Sequence, residues 1–210
     1  MKNLIIIGAG AYGREAFTLG KESHGYGSDF TIKGYLDSNL KALEKYQGYP
    51  LVLGTVEDYL IQKDDVFICA IGGIKQKKRT VNQILEKQGV FINLIHKSAY
   101  IGDFVKLGTG VFMGYDTVIS NDTQVEDYVL INSRALIGHD CKIGQFSLVG
   151  VSAFIAGNVN IGEEVTIHSK ASIMKGISIG YKATVGLGSV AVKSVEENST
   201  VFGNPAKRIF

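Results

Sequence analysis

Proline and cysteine are nearly missing from this chain, with 2 of each in 210 residues. Cys69 and Cys141 stand 72 positions apart, with no CxxC pair and no Cys/His cluster. That usage fits a reducing compartment and excludes a disulfide scaffold or a zinc site, so no metal is expected. Long apolar runs are also lacking. The first, Leu4 to Ile7, is four residues long before glycine interrupts it, and none approaches the ~18 that a membrane span needs. The segment MKNLIIIGAGAYG therefore reads as a first β-strand and not as a signal peptide, and a soluble, cytoplasmic protein is expected. Charge of one sign is absent too. Lys+Arg minus Asp+Glu is 22 − 20 = +2, which points away from nucleic acid and membrane surfaces as partners.

What is present is apolar and glycine-rich. Ile, Leu, Val and Met number 60, or 29 % of positions, and charged residues 20 %, so a largely disordered chain is excluded. Glycine at 26 with so little proline points to many tight turns inside regular structure.

The chain changes period near residue 95. Before it, strand-like runs at 4–8, 31–37, 65–72 and 90–95 alternate with helical patterns at 11–25 and 77–89. Alternation of that kind gives a small parallel α/β unit, a half-Rossmann-like lobe over 1–94. From Ile95 the period is six. Seventeen hexads cover 102 residues to Glu196, and the first position is Ile, Leu, Val or Met in 16 of them, the exception being Ala191. The fifth position is always small or β-branched, as at Ala99, Cys141 and Ala183. Such hexads mark a parallel β-helix over 95–210, in which three hexads make one 18-residue coil. Seventeen give about 5.7 coils and, at roughly 4.8 Å each, a prism about 27 Å tall. An amphipathic helix is excluded because six does not match 3.6. The repeat alone does not fix the handedness.

Four segments, IIIGAGAYGRE (5–15), INLIHKSAYIG (92–102), IGHDCKIGQFSLVG (137–150) and VFGNPAKRI (201–209), together make the chain resemble the PglD/NeuD-like sugar acyltransferases of the hexapeptide-repeat superfamily. The resemblance implies a left-handed β-helix, against the usual crossover rule. It also implies a homotrimer, acetyl-CoA as donor without a metal, and active sites in clefts between neighbouring prisms.

Of the four histidines, His139 has a distinctive setting. It holds the third position of its hexad, a turn site pointing away from the core, and Asp140 follows. A carboxylate beside an imidazole orients the ring and favours its charged form, which suits a general base. Adding one coil, 139 + 18 = 157, puts Gly157 above His139 on the same edge, where a bare backbone N–H could face developing negative charge. In the resembled family a histidine followed by an acidic residue is the catalytic pair. The glycine of an AGN motif, here Ala156-Gly157-Asn158, lies near the thioester carbonyl. A second edge, Val151, Ser169 and Leu187, would form the opposing wall of a cleft and hold a pantetheine arm, and Asn132 could bond the acceptor.

Gly8, Gly10 and Gly13 form G-x-G-x-x-G between a strand and a helix, with Asp37 closing the next strand. Taken alone this is a dinucleotide fingerprint, but 94 residues hold only half of a full Rossmann fold. In the resembled family the lobe binds the nucleotide-linked sugar acceptor. By that resemblance Gly10, Ala11 and Tyr12 line the acceptor site, Asp37 lies near its uridine-like end, and Gly72-Gly73 complete it. The basic run Lys75, Lys77, Lys78 and Arg79 is either a diphosphate lure or a solvated helix face.

The leading expectation is acetyl transfer from acetyl-CoA to an amine of a 4-amino-4,6-dideoxy sugar on a nucleotide, in surface-glycan synthesis. Sugar O-acetylation of the sialic acid type, a nicotinamide-dependent oxidoreductase and a non-catalytic β-helix assembly module are the alternatives.

Overall fold

The computed structural model describes all 210 residues and divides into two compact units, Met1–Lys97 and Ser98–Phe210.

The first unit is a five-stranded parallel sheet with two helices. Its elements are β1 (Lys2–Ile7), α1 (Ala11–Lys21), β2 (Phe30–Leu36), β3 (Val52–Gly54), β4 (Asp65–Cys69), α2 (Ile74–Glu86) and β5 (Val90–Phe91). The sheet order is β3-β2-β1-β4-β5, so the path reverses between β1 and β4. In open parallel sheets that reversal opens a crevice at the carboxyl ends of the strands. The central strands read as continuous apolar runs because both faces are covered; Leu4, Ile5 and Ile6 are 0 % exposed. A bulge in β2 leaves Lys33 without a β1 partner. Its ammonium instead meets buried Asp65 at 2.8 Å and the Tyr59 hydroxyl at 2.8 Å.

Several boundaries differ from the sequence reading. Helix α2 starts at Ile74, not 77, because extended Gly73 caps it. The run 90–95 is not one strand: pairing stops after Phe91 and resumes at Leu94. Strand β3, three half-buried residues, carries too short a pattern to read from sequence.

The second unit is a left-handed β-helix whose strands are two residues long. Parallel partners lie 18 apart, as in the column Ile119, Ile137, Ile155, Ile173 and Ala191. First-position side chains fill the core and are almost wholly buried from Ile119 to Ala191. The last coil is shorter than the hexads imply. Ile179 bridges Val195 and Val185 pairs Val201, both offsets of 16, so the seventeenth repeat loses two residues. Strand Thr200–Gly203 then turns back antiparallel through Ala206–Arg208.

At the fourth position of every hexad from Phe104 to Gly188 the backbone enters the left-handed region, at φ between 53° and 76°. Twelve of those fifteen turn residues are not glycine. The sixth positions point outward and distinguish the faces. One sheet shows Lys106, Gln124, Lys142, Asn160 and Ser178, all exposed. Another shows Tyr100, Val118, Leu136, Phe154, Ser172 and Val190, with Tyr100 60 % and Phe154 45 % exposed.

Candidate active site

His139 and Asp140 are consecutive, and in a strand their side chains would diverge. Here Asp140 takes the left-handed turn conformation (φ 56°) and the two meet, His139 Nδ1 lying 2.6 Å from Asp140 Oδ2. Both side chains are about half exposed. The turn is pinned from both neighbouring coils: Asp140 N–H donates to Asn121 O at 3.1 Å, and Asn158 N–H donates to His139 O at 2.8 Å. Below the pair, the buried Cys141 thiol donates to Ala156 O at 3.2 Å. Nδ1 committed to a carboxylate leaves Nε2 to exchange a proton with a ligand.

Gly157 stands against that free nitrogen. A Cβ built on it would lie 2.5 Å from His139 Nε2. Its N–H lies outside the backbone ladder between coils, as third-position amides do, some of which, at Asp103, Thr109 and Gln145, donate instead to side chains of a neighbouring coil. The amide is thus a general feature of the turn, and what glycine adds is room for the imidazole.

On the second edge Val151 is 43 % and Leu187 62 % exposed, with Ser169 half-buried between them. The carbonyls of Val151 and Ser169 accept from Lys170 N–H and Gly188 N–H, so the amides are the groups left for a ligand. Asn132 is only 5 % exposed, so it presents little surface for an acceptor to meet.

In the α/β unit the three loop glycines have separate reasons. Gly8 needs φ +97°, and a Cβ on Gly13 would sit 1.8 Å from Gly8 O. A Cβ on Gly10 would meet nothing within 4 Å. Packing therefore requires Gly8 and Gly13 but leaves Gly10 open. Ala11 is exposed beside it, and Tyr12 lies across Gly72, where a Cβ would come 2.7 Å from the ring. Asp37 accepts from Ala9 N–H at 2.7 Å, which ties the glycine loop to the end of β2, and from Asn39 N–H at 2.8 Å in its own turn, so both carboxylate oxygens are engaged.

Asp37 borders two cavities. The larger, about 780 Å³, opens at the carboxyl ends of β1, β2 and β4 and is lined by Gly8, Gly73, Glu57, Lys75, Arg79 and Gln83 among others. The smaller, about 500 Å³, is lined by Gly10, Arg14, Asn39 and Tyr46, with the Arg14 guanidinium 4.0 Å over the Tyr46 ring. The basic run splits accordingly: Lys75 and Arg79 face the cavity while Lys77 is 2 % exposed. Burial pushes the Lys77 ammonium down to about 8, against an opposing pull from Cys69. The sequence reading passed over Arg14, Tyr46, Glu57 and Gln83. Only Glu57 had a signal, the Thr55-x-x-Asp58 capping turn that presents it.

Both cysteines are buried and free, and burial pushes both thiols up, away from nucleophilic use. No three His, Cys, Asp or Glu side chains converge as a metal site would require, and no helix is long and apolar enough to cross a membrane.

Residues 3–84 match the family model of the PglD N-terminal domain. Over its whole length the chain has the fold of the acetyltransferase domain of PglB from Neisseria gonorrhoeae FA1090 (27 % identity, TM-score 0.89, 100 % of each chain). It is similarly close to PerB from Caulobacter crescentus (25 % identity, TM-score 0.89, 100 % of this chain and 98 % of the other). WeeI from Acinetobacter baumannii AYE, at 23 % identity and TM-score 0.88, shares the fold over 100 % of both chains. A curated relative, uncharacterized protein L142 of Acanthamoeba polyphaga mimivirus, is 33 % identical over 106 residues, 48 % of this chain; the match spans 20 % of that protein's length. The N-terminal lobe thus matches the PglD N-terminal domain, and the chain as a whole is similar in fold to a solved acetyltransferase domain, in line with its resemblance to the PglD/NeuD-like family.

Proposed function

We propose that the protein transfers the acetyl group of acetyl-CoA to the amine of a nucleotide-linked 4-amino-4,6-dideoxy sugar. The observation that carries this reading is the His139–Asp140 pair, with Nε2 facing the space that Gly157 leaves open. The sugar amine attacks the thioester carbonyl carbon while Nε2 takes its proton. Asp140 holds the ring and stabilises the imidazolium. The Gly157 N–H receives the tetrahedral oxyanion. The C–S bond then breaks, and the imidazolium returns its proton to the departing CoA thiolate.

Similarity supports the choice of donor and acceptor. The PglB domain has been solved with acetyl coenzyme A, and PerB with CoA and GDP-perosamine. In this chain the lobe would hold the nucleotide, with Gly10 the open point for close approach of a diphosphate at the start of α1. The prism would hold the donor, its pantetheine arm following the free amides beside Ser169 and Leu187. The unpartnered apolar column from Tyr100 to Val190 favours side-by-side packing as a homotrimer, with clefts between prisms as the sites.

The test is a panel of UDP-, dTDP- and GDP-linked sugars, amino and hydroxyl, incubated with acetyl-CoA while free thiol is read. Release with an amino sugar is expected. Release only with hydroxyl sugars would make the enzyme an O-acetyltransferase, and none with any would overturn the reading.

A further inference from the structure

Lys87 follows the last residue of α2, and its ammonium has an unusual set of partners. It donates to three backbone carbonyls of one short turn: Val56 O at 2.7 Å, Glu57 O, and Tyr59 O at 3.4 Å. That turn begins with the Thr55–Asp58 cap and closes with Tyr59 N–H donating to Thr55 O at 3.1 Å. Its carbonyls gather at one end, as at a helix C-terminus, where a cation is favoured.

Two further residues of α2 grip the same turn at four-residue spacing. Gln83 donates to Glu57 Oε1 at 3.0 Å, and Arg79 lies 3.9 Å from the same oxygen. Arg79, Gln83 and Lys87 therefore form one stripe on the helix, aimed at one turn. Val56 and Glu57 in turn form part of the wall of the 780 Å³ cavity at the carboxyl ends of the strands. On its other side the turn is anchored by the Tyr59 hydroxyl, 2.8 Å from buried Asp65. Lys87 itself does not line the cavity, so its influence on a ligand is exerted through the turn.

We infer that Lys87 is a positioning residue for the nucleotide-sugar acceptor: its ammonium fixes the 55–59 turn and through it Glu57 and Val56 in the cavity wall. This rests on the proposed use of the cavity by the acceptor. Fixing the wall in advance spares the ligand the cost of ordering it, so the effect belongs to acceptor binding and not to the chemical step.

The experiment compares Lys87→Met and Lys87→Arg in the full chain, by steady-state kinetics and by amide hydrogen exchange over 55–59. Lys87→Met is expected to raise the acceptor KM about tenfold, the scale of one lost charge-assisted hydrogen bond. The acetyl-CoA KM and kcat should stay within about twofold, and exchange at 55–59 should quicken. Lys87→Arg, which keeps a donor on the carbonyls, should recover most of the loss. Unchanged exchange in folded Lys87→Met, or an acceptor KM within twofold of the parent, overturns the assignment. If the parent protein turns over no nucleotide sugar and binds none of UDP, dTDP or GDP in calorimetry, the functional reading fails separately. Exchange at 55–59 then decides the clamp alone.

Discussion

Replacing His139 with alanine takes away the group proposed to receive the amine proton opposite Gly157. Turnover should fall by about 10²–10⁴, the usual contribution of a positioned base, while calorimetry still detects acetyl-CoA. Asp140→Asn should cost less, because an amide can hold the ring but not stabilise its charge. Gly157→Ala is the sharper probe. Its methyl would overlap Nε2, and the half-exposed imidazole is free to swing aside, so kcat should drop while the fold survives. Activity close to the parent in either His139→Ala or Gly157→Ala would remove that residue from the mechanism. These residues could be found from the sequence because an 18-residue coil turns position into geometry: 139 and 157 are neighbours by arithmetic. Arg14 and Gln83 could not, since the cavities they line are walled by segments far apart in the chain with no shared period.

At the scale of the element, the glycine loop separates packing from binding. Gly8 and Gly13 are fixed by backbone conformation and by the approach of α1 to β1, so their substitution should unfold the lobe. Gly10→Val should fold, because a Cβ there meets nothing within 4 Å. It should raise the acceptor KM and leave acetyl-CoA affinity nearly unchanged, which calorimetry can check; loss of acetyl-CoA binding would show that donor and acceptor sites are not divided as proposed. Helix α2 carries a pH signature. Lys77 titrates near 8 in the folded lobe against 10.5 as its ordinary value. Between those values the unfolded chain binds more protons, so this residue adds stability as pH rises and withdraws it as pH falls. Denaturant unfolding of the parent, compared with Lys77→Met, should show a steeper rise from pH 8 to 10 in the parent. Equal slopes would mean that Lys77 is charged in the fold. Burial of a lysine inside a basic run is invisible to composition, which reads such a run as solvated.

Of the prism's three outward faces one is polar and another carries an exposed apolar column, and both are legible in the sequence at sixth positions 18 apart. The hexad reading used the first, third and fifth positions and so saw the core and the edges but not the faces. Light scattering should give three times the 22.7 kDa of a single chain. Phe154→Asp, on the apolar column, should shift that mass toward 22.7 kDa, whereas Asn160→Asp on the polar face should not. A monomeric parent at active concentrations would overturn the trimer. The lobe was less legible as a whole. Its long buried strands announce themselves, but β3 and the break after Phe91 depend on pairing partners far along the chain.

The row of left-handed turns has a practical consequence for heat resistance. Each non-glycine residue there works against a preference of roughly 1–2 kcal/mol, from which asparagine is partly exempt. Nature has already placed Asp116, Asp122, Asp140 and Asn158 at such corners, but Phe104, 79 % exposed, gains nothing from burial in return. Phe104→Asn should therefore raise the melting temperature by about 2 °C, as a gain near 0.5–1 kcal/mol would in a chain of this size. Calorimetric scans at matched concentration would show it. The same exchange repeated at other exposed corners away from His139 offers a route to a hardier protein that leaves its chemistry alone.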